Sequence, residues 1–226
     1  MSLLIRCLLL VCLLGLLPQI ASAAAVRDES ITERTGKLHI EVQYPVVGDP
    51  RIDADIAEWA RQLVENFRTT YAEEPEIGTT PYELKASYTL TRSSAHAMSI
   101  AWEVGSYTGG AHGNLDIITA TYETRSGVSL DLYDVFMDLE TALNAMAAYS
   151  YKALSETLGD MRSEDMLRGG TTPDADNFSS FMLTPDGVRV FFQPYQVAPW
   201  AAGTQVVDIP LAELTDAGPR LELWGK

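Results

Sequence analysis

Residues 82–104, YELKASYTLTRSSAHAMSIAWEV, decide the fold of this chain. Apolar and polar side chains alternate along them on both sides of a short polar stretch, residues 92–95. Because successive side chains of a β-strand point to opposite faces of a sheet, this alternation predicts two strands, each with one buried face. The polar stretch predicts a turn, so we expect the two strands to form an antiparallel hairpin.

The same alternation predicts further strands on both sides of this hairpin. Residues 38–44 carry β-branched and apolar side chains at every second position and predict a strand that ends at Pro45. Later segments with this pattern predict strands at about residues 115–124, 128–132, 178–183, 188–192 and 206–209.

Two longer segments predict helices. Asp49 and Pro50 predict a helix start, because aspartate caps helix N-termini and proline fits the first helical position. Apolar residues then recur every three or four positions over residues 52–67, and a second such pattern covers residues 139–158. The sequence therefore predicts an α+β fold, with a largely antiparallel sheet and two main helices packed on one face.

The chain starts with a predicted secretory signal peptide, residues 1–23. Arg6 precedes eleven residues without a polar side chain, which is the length of a signal-peptide core and too short to cross a bilayer. Ala21-Ser22-Ala23 offers small side chains for cleavage after Ala23. An uncleaved anchor is the alternative. We predict a periplasmic or secreted protein without a membrane anchor after cleavage, with a flexible leader at residues 24–36 and a single domain at residues 37–226.

Composition limits the classes of partner. Both cysteines, Cys7 and Cys12, lie in the predicted signal peptide, so the exported chain has no thiol or disulfide. The net charge of the whole chain is −15, and it becomes −16 once Arg6 is removed. Nucleic-acid binding needs clustered basic residues, so this charge argues against it. An acidic surface attracts cationic partners, although it also serves solubility alone.

The densest candidate site is the stretch Y-T-G-G-A-H-G-N, residues 107–114, between two predicted strands. Its glycines allow positive φ angles and close backbone approach, so the loop can present a side chain and free amides to a ligand. The candidate ligand-binding residues here are Tyr107, Gly109, Gly110, His112 and Asn114. A tight turn with His112 as a local cap is the structural alternative.

A second candidate is the aromatic stretch at residues 191–203, F-F-Q-P-Y-Q-V-A-P-W-A-A-G. Two prolines argue for a sheet edge or an irregular rim, where Tyr195 and Trp200 are exposed for recognition of a glycan or a protein. An aromatic corner of the core is the equally simple alternative.

Motifs for catalysis and for metal binding are missing from the sequence. His39, His96 and His112 lack the spacing of a zinc site, and the chain has no G-x-S-x-G or S-x-x-K nucleophile motif. We predict no metal and no cofactor. A carboxylate pair of the glycosidase type is defined in space rather than in sequence, so an envelope hydrolase stays open as an alternative.

Three segments together resemble the bacterial DUF3298 family, which is often joined to a DUF4163 segment. They are the loop at residues 107–113, the stretch YETRSGVSLDLYDVF at residues 122–136, and TPDG at residues 184–187 followed by PYQVAPWAAG at residues 194–203. The resemblance spans about residues 38–214, with a DUF4163-like part at the start of the domain.

The resemblance implies recognition rather than chemistry. Similar domains form the extracytoplasmic part of a lysozyme-sensing anti-sigma factor and the amino-terminal, non-catalytic part of a peptidoglycan deacetylase. It implies a non-catalytic envelope domain that binds a lysozyme-like cationic protein or peptidoglycan. An envelope hydrolase, with His112 as acid or base, and a purely structural interaction module are the alternatives.

Overall fold

The computed structural model describes residues 25–71, 73 and 80–226, and its strands form two sheets. The larger sheet has the strand order β1-β2-β3-β4-β5-β6, and the smaller one has the order β7-β8-β9. The strands are β1 Arg27–Arg34, β2 Leu38–Val46, β3 Tyr82–Arg92, β4 Ala97–Tyr107, β5 Asn114–Glu123, β6 Val128–Leu130, β7 Phe181–Thr184, β8 Gly187–Phe192 and β9 Gln205–Pro210. The α-helices are α1 Pro50–Tyr71, α2 Leu132–Val135, α3 Leu139–Thr157 and α4 Glu164–Gly170.

The predicted hairpin of β3 and β4 is the centre of the larger sheet. Its two strands pair antiparallel from Glu83 with Tyr107 to Arg92 with Met98. Among the strands of the described residues only β2 and β3 pair in parallel, with α1 in the connection between them. Asp49 caps α1 as predicted, accepting a hydrogen bond from the Arg51 N–H at 2.9 Å. The α+β class and the largely antiparallel sheet are therefore confirmed.

The prediction that both main helices pack on one face of one sheet is wrong, because each of the two sheets has its own helix. Helix α1 packs its apolar stripe, including Ile52 and Ile56, on Ile100 and Trp102 of the larger sheet. Helix α3 and the segment after β9 pack instead on the outer face of the smaller sheet. The layers are therefore α1, the larger sheet, the smaller sheet and α3.

The outer edge of β7 rests on the larger sheet. The Phe181 N–H donates to Thr119 Oγ1 at 3.1 Å, and the Leu183 N–H donates to Ser99 Oγ at 2.9 Å. An unpaired strand edge is open to association with other chains, and these hydroxyl groups satisfy it inside the protein. They also fix the position of the smaller sheet on the larger one.

The predicted flexible leader is wrong over most of its length. Residues Arg27–Arg34 form β1, which pairs antiparallel with β2 from Arg27 with Val46 to Arg34 with His39. The sequence shows no alternation there because an edge strand with charged side chains on both faces has little to bury, and of β1 only Ile31 packs on the α1 core.

Two other boundaries differ from the sequence pattern. The strand predicted at residues 128–132 ends at Leu130, because the Asp131 carboxylate caps α2 by accepting from the Tyr133 N–H at 2.7 Å. The strand predicted from Phe178 starts at Phe181, since residues 175–178 form a 3-10 turn.

No helix in the described part of the chain has the length and apolar composition to cross a membrane. The predicted signal peptide, residues 1–23, lies outside the described residues, as does the first residue of the predicted leader.

Candidate functional site

The glycine-rich loop closes the hairpin of β4 and β5. Gly109 and Gly110 have φ angles of +97° and +100°, which favour glycine, so the loop turns there as its sequence predicted. The Tyr107 hydroxyl donates to the Gly110 carbonyl at 3.3 Å across the loop. A Cβ on Gly113 would lie 2.8 Å from the Ser106 carbonyl oxygen, so only glycine lets the two strands converge at that point. His112 is exposed at the tip.

The aromatic segment leaves β8 through a tight turn. The Gln196 N–H donates to the Gln193 carbonyl at 2.9 Å, with Pro194 and Tyr195 between them. Tyr195 has a φ of +71°, the only positive φ of a non-glycine residue in the described ranges. Proline followed by a residue with positive φ is the arrangement of a type II turn, in which that second position strongly prefers glycine. The turn therefore holds Tyr195 in a strained backbone conformation.

Two glutamine side chains fix this turn on the rest of the domain. Gln193 binds β5 like a strand partner, since Oε1 accepts from the Ile117 N–H at 2.8 Å and Nε2 donates to the Ile117 carbonyl at 2.7 Å. Gln196 Nε2 donates to the carbonyls of Gly170 and Asn177 at 3.2 and 3.0 Å. Sequence reasoning missed both positioning residues, and the Q-P-Y-Q turn around Tyr195 was the only local signal for them.

Three aromatic side chains from the two predicted segments meet at one surface. The imidazole of His112 stacks on the indole of Trp200, with ring centroids 4.7 Å apart and planes inclined by 22°. The ring of Tyr195 lies on the indole of Trp200 as well, with ring centroids 5.7 Å apart and planes inclined by 35°. Tyr195 is 57% exposed, His112 is exposed and Trp200 is half-buried. We call His112, Tyr195 and Trp200 the aromatic trio.

The other predicted residues frame the aromatic trio without joining the stack. Tyr107, Gly109 and Gly110 shape the loop that carries His112. Asn114 is the first residue of β5, and its side chain is exposed. The interpretation of Tyr195 and Trp200 as a buried core corner is wrong, because both side chains reach the surface.

An exposed aromatic platform can bind without performing a reaction. Flat aromatic faces bury apolar area at little cost in side-chain entropy, and a histidine or tyrosine edge adds a hydrogen-bonding group. These properties suit the C–H faces and hydroxyl groups of a sugar ring, or the side chains of a protein.

The carboxyl groups that have a shifted pKa all favour the ionised form. Every carboxyl group in the described ranges with a shifted pKa has it lowered, because hydrogen-bond donors stabilise the ionised form: Asp49, Glu58, Glu123, Asp138, Glu164 and Glu222. Glycoside hydrolysis needs one carboxyl group with a raised pKa. In the same ranges, no three or more His, Cys, Asp or Glu side chains are grouped to hold a metal ion.

Two family models match the chain, one in each half. Residues 31–115 match the model described as deacetylase PdaC, and residues 133–212 match the model of DUF3298, a protein family of unknown function. The first match runs from the second half of β1 to the start of β5, and the second runs from α2 to the segment after β9. The first model is named for PdaC, so the DUF4163-like designation of that half stays a prediction.

A curated relative is the peptidoglycan-N-acetylmuramic acid deacetylase PdaC of Bacillus subtilis strain 168. It is 27% identical over 176 residues, which are 77% of this chain and 38% of the relative. The chain thus spans well under half of that protein.

Two solved structures share the fold. A DUF3298 family member from Bacteroides fragilis has a TM-score of 0.60 at 20% identity, over 88% of this chain and 96% of that one. A DUF3298 family protein from Pseudomonas aeruginosa PAO1 has a TM-score of 0.59 at 16% identity, over 85% and 94% of the two chains. The chain thus carries a DUF3298-type segment at residues 133–212 behind a PdaC-type segment at residues 31–115.

Proposed function

We propose that this protein is a non-catalytic binding domain of the cell envelope that recognises the glycan of peptidoglycan through the aromatic trio. The single observation that carries the proposal is the exposed stack of His112, Trp200 and Tyr195, assembled from two separate segments. Burying a ring is the ordinary way to gain stability from it, so a surface stack of three rings points to a ligand.

The backbone at Tyr195 supports this function. A non-glycine residue in the left-handed region costs about 1–2 kcal/mol. The side chain that this strain presents is 57% exposed, so it recovers little of the cost by burial. Strained conformations that persist at exposed aromatic residues are typical of ligand-contacting surfaces.

The relative supports the choice of ligand and of compartment. PdaC of Bacillus subtilis is named as a deacetylase of peptidoglycan, and the matched region is 38% of its length. Peptidoglycan lies outside the cytoplasmic membrane. We therefore propose an extracytoplasmic location, periplasmic or secreted, reached by cleavage of the signal peptide after Ala23.

A cationic protein, such as a lysozyme-like enzyme, is the second candidate ligand. The net charge of −15 favours it, because an acidic surface accelerates and strengthens encounters with basic proteins. Binding of this type weakens steeply with salt, whereas stacking of sugars on aromatic rings depends on salt only slightly. Binding of lysozyme that is strong at low ionic strength and weak at high ionic strength therefore favours the cationic protein as ligand.

Co-sedimentation with insoluble, purified peptidoglycan tests the proposal. Tyr195→Ala and Trp200→Ala should each weaken binding about tenfold, the effect of losing an aromatic anchor worth about 1.4 kcal/mol. Tyr133→Ala is the matched control, because Tyr133 is 71% exposed on α2 and outside the aromatic trio. If the wild-type protein stays in the supernatant, or if all three variants bind alike, the aromatic trio is not a peptidoglycan site.

A further inference from the structure

One face of the larger sheet is only partly covered by the smaller sheet. On this face, opposite α1, Ala101 and Ile117 pack against Met182 of β7. Towards β1 the same face is open, and Glu41, Lys85 and Glu103 are exposed on it. The uncovered part of this face of the larger sheet therefore lies beside the smaller sheet.

The strand register arranges this open face in rows. One row runs from Glu41 through Lys85 and Gly105 to Leu115, because these residues are paired partners on β2, β3, β4 and β5. A neighbouring row runs from His39 through Glu83 to Tyr107. Side chains in one row stand beside each other on the same face of the sheet.

Two adjoining depressions follow these rows. One, of about 270 Å³, is lined by residues of β1, β2 and β3, including Arg34, Glu41 and Lys85. The other, of about 330 Å³, is lined by residues of β2 to β5, including Gly105 and again Glu41 and Lys85. They share two lining residues and so adjoin each other, and we call the two together the sheet groove.

Charges of both signs line the sheet groove. Lys85 Nζ lies 3.4 Å from a Glu83 carboxylate oxygen, and His39 Nδ1 lies 3.9 Å from the other one. Glu41 and Glu103 add carboxylates from the neighbouring strands. A lining of this kind is complementary to a ligand that carries both ammonium and carboxylate groups, since each finds a partner of opposite charge.

Gly105 forms the floor of the sheet groove. A Cβ added there would have the carbonyl oxygens of Lys85 and Asn114 as nearest atoms, at 3.9 and 4.0 Å, which is ordinary contact. Its φ lies outside the left-handed region, so neither packing nor backbone conformation demands glycine. Glycine inside a strand is unfavourable and often marks a place where a ligand approaches the backbone closely.

The sheet groove lies near the loop that carries His112. Tyr107 lies on the same face as Gly105, two residues along β4, which is a distance of about 7 Å. Its hydroxyl binds the loop that carries His112.

We propose that the sheet groove binds the peptide attached to the glycan, as a second subsite beside the aromatic trio. Peptides of peptidoglycan carry free ammonium and carboxylate groups, which match Glu41, Glu83 and Glu103 on one hand and Lys85 on the other. The proposal rests on the proposed glycan binding and adds the part of the ligand that the sheet groove selects.

Calorimetric titration with two soluble probes tests the sheet groove. One probe is a peptidoglycan disaccharide that carries its peptide, and the other is the same disaccharide without peptide. The wild-type protein should bind the first more tightly. Gly105→Gln should abolish this preference by filling the groove, and Lys85→Ala should reduce it about fivefold through loss of an ion pair. Both variants should bind the bare disaccharide like wild type.

The controls separate the two proposals. Lys152→Ala removes the same charge from an exposed position on α3 and should change neither affinity. Trp200→Ala should weaken both probes equally. Equal binding of both probes by the wild-type protein, or a preference that survives Gly105→Gln, would overturn the groove and leave the glycan site intact. Binding of neither probe would overturn both proposals.

Discussion

His112 stacks on Trp200 with ring centroids 4.7 Å apart, and this contact joins the loop of the larger sheet to the segment that follows β8 of the smaller sheet. Within its own segment, Trp200 also contacts the ring of Tyr195. The contact therefore couples the two sheets at the surface, as Ser99 and Thr119 couple them in the interior.

A double-mutant cycle should measure this coupling. We expect His112→Ala and Trp200→Ala to be non-additive in urea unfolding by about 0.5–1.5 kcal/mol, the usual worth of an aromatic pair. The cycle of His112→Ala with Tyr133→Ala is the control and should be additive, since Tyr133 lies on α2. Additivity of the first cycle to within about 0.3 kcal/mol would mean that the stack does not form in solution.

The backbone strain at Tyr195 should lower stability, whereas its side chain should contribute to binding. Tyr195→Gly relieves the strain of the positive φ, whereas Tyr195→Ala keeps the strain and removes the same ring. We expect the glycine variant to be about 1 kcal/mol more stable than the alanine variant in urea unfolding. Both should lose peptidoglycan binding to the same extent. A glycine variant no more stable than the alanine variant would show that Tyr195 is not strained.

The central fold was predictable because it depends on local patterns. The alternation in residues 82–104 specifies a hairpin whatever lies around it, and the apolar stripe from Ile52 to Phe67 specifies a helix that covers a sheet. Strand β1 was not predicted because it is stabilised by pairing with β2 rather than by burial of its own side chains.

The division into two sheets and the assembly of the site depend on distant contacts. Alternation in β7 and β8 shows that one face is buried, but not which layer buries it. Both candidate segments were found separately through their glycine and aromatic residues. Their meeting depends on Gln193, which reaches across to Ile117 on another sheet. No pattern in the sequence reports a bond of this kind.

Gln193 should therefore control the geometry of the site. Gln193→Ala leaves the Ile117 N–H without its partner and leaves the Ile117 carbonyl with the Ser180 hydroxyl as donor, and it should cost about 1–3 kcal/mol of unfolding free energy. Gln193→Glu keeps the acceptor for the N–H but replaces the donor by a carboxylate facing a carbonyl, so it should also destabilise at neutral pH. Both variants should weaken peptidoglycan binding even where they stay folded. An alanine variant with wild-type stability and binding would show that these bonds do not position the aromatic trio.

Tyr122 should make the fold sensitive to alkaline pH. Its buried hydroxyl donates to Asp55 Oδ2 at 2.6 Å and ties β5 to α1. Burial, followed by the hydrogen bond to Asp55, raises the pKa of Tyr122 well above its ordinary range. The pKa of Tyr88 is raised to about 12 by burial and by its hydrogen bond to Asp28. In the unfolded chain both should titrate near the ordinary value of about 10.

The sign of the effect follows from these shifts. Below pH of about 10 both tyrosines are protonated in either state, so their contribution to stability is fully present. Above it the unfolded chain loses protons that the folded protein retains. Each group then lowers the free energy of unfolding by about 1.4 kcal/mol per pH unit until its folded pKa is reached. Urea unfolding at pH values from about 8 to about 11.5, on both sides of the ordinary tyrosine pKa, measures this slope. Tyr122→Phe should be less stable than wild type at pH of about 8, because it lacks the hydrogen bond to Asp55. It should lose less stability per pH unit than wild type. The control is Tyr133→Phe at an exposed position, which should follow the wild-type slope. An unchanged slope in Tyr122→Phe would place the alkaline sensitivity elsewhere.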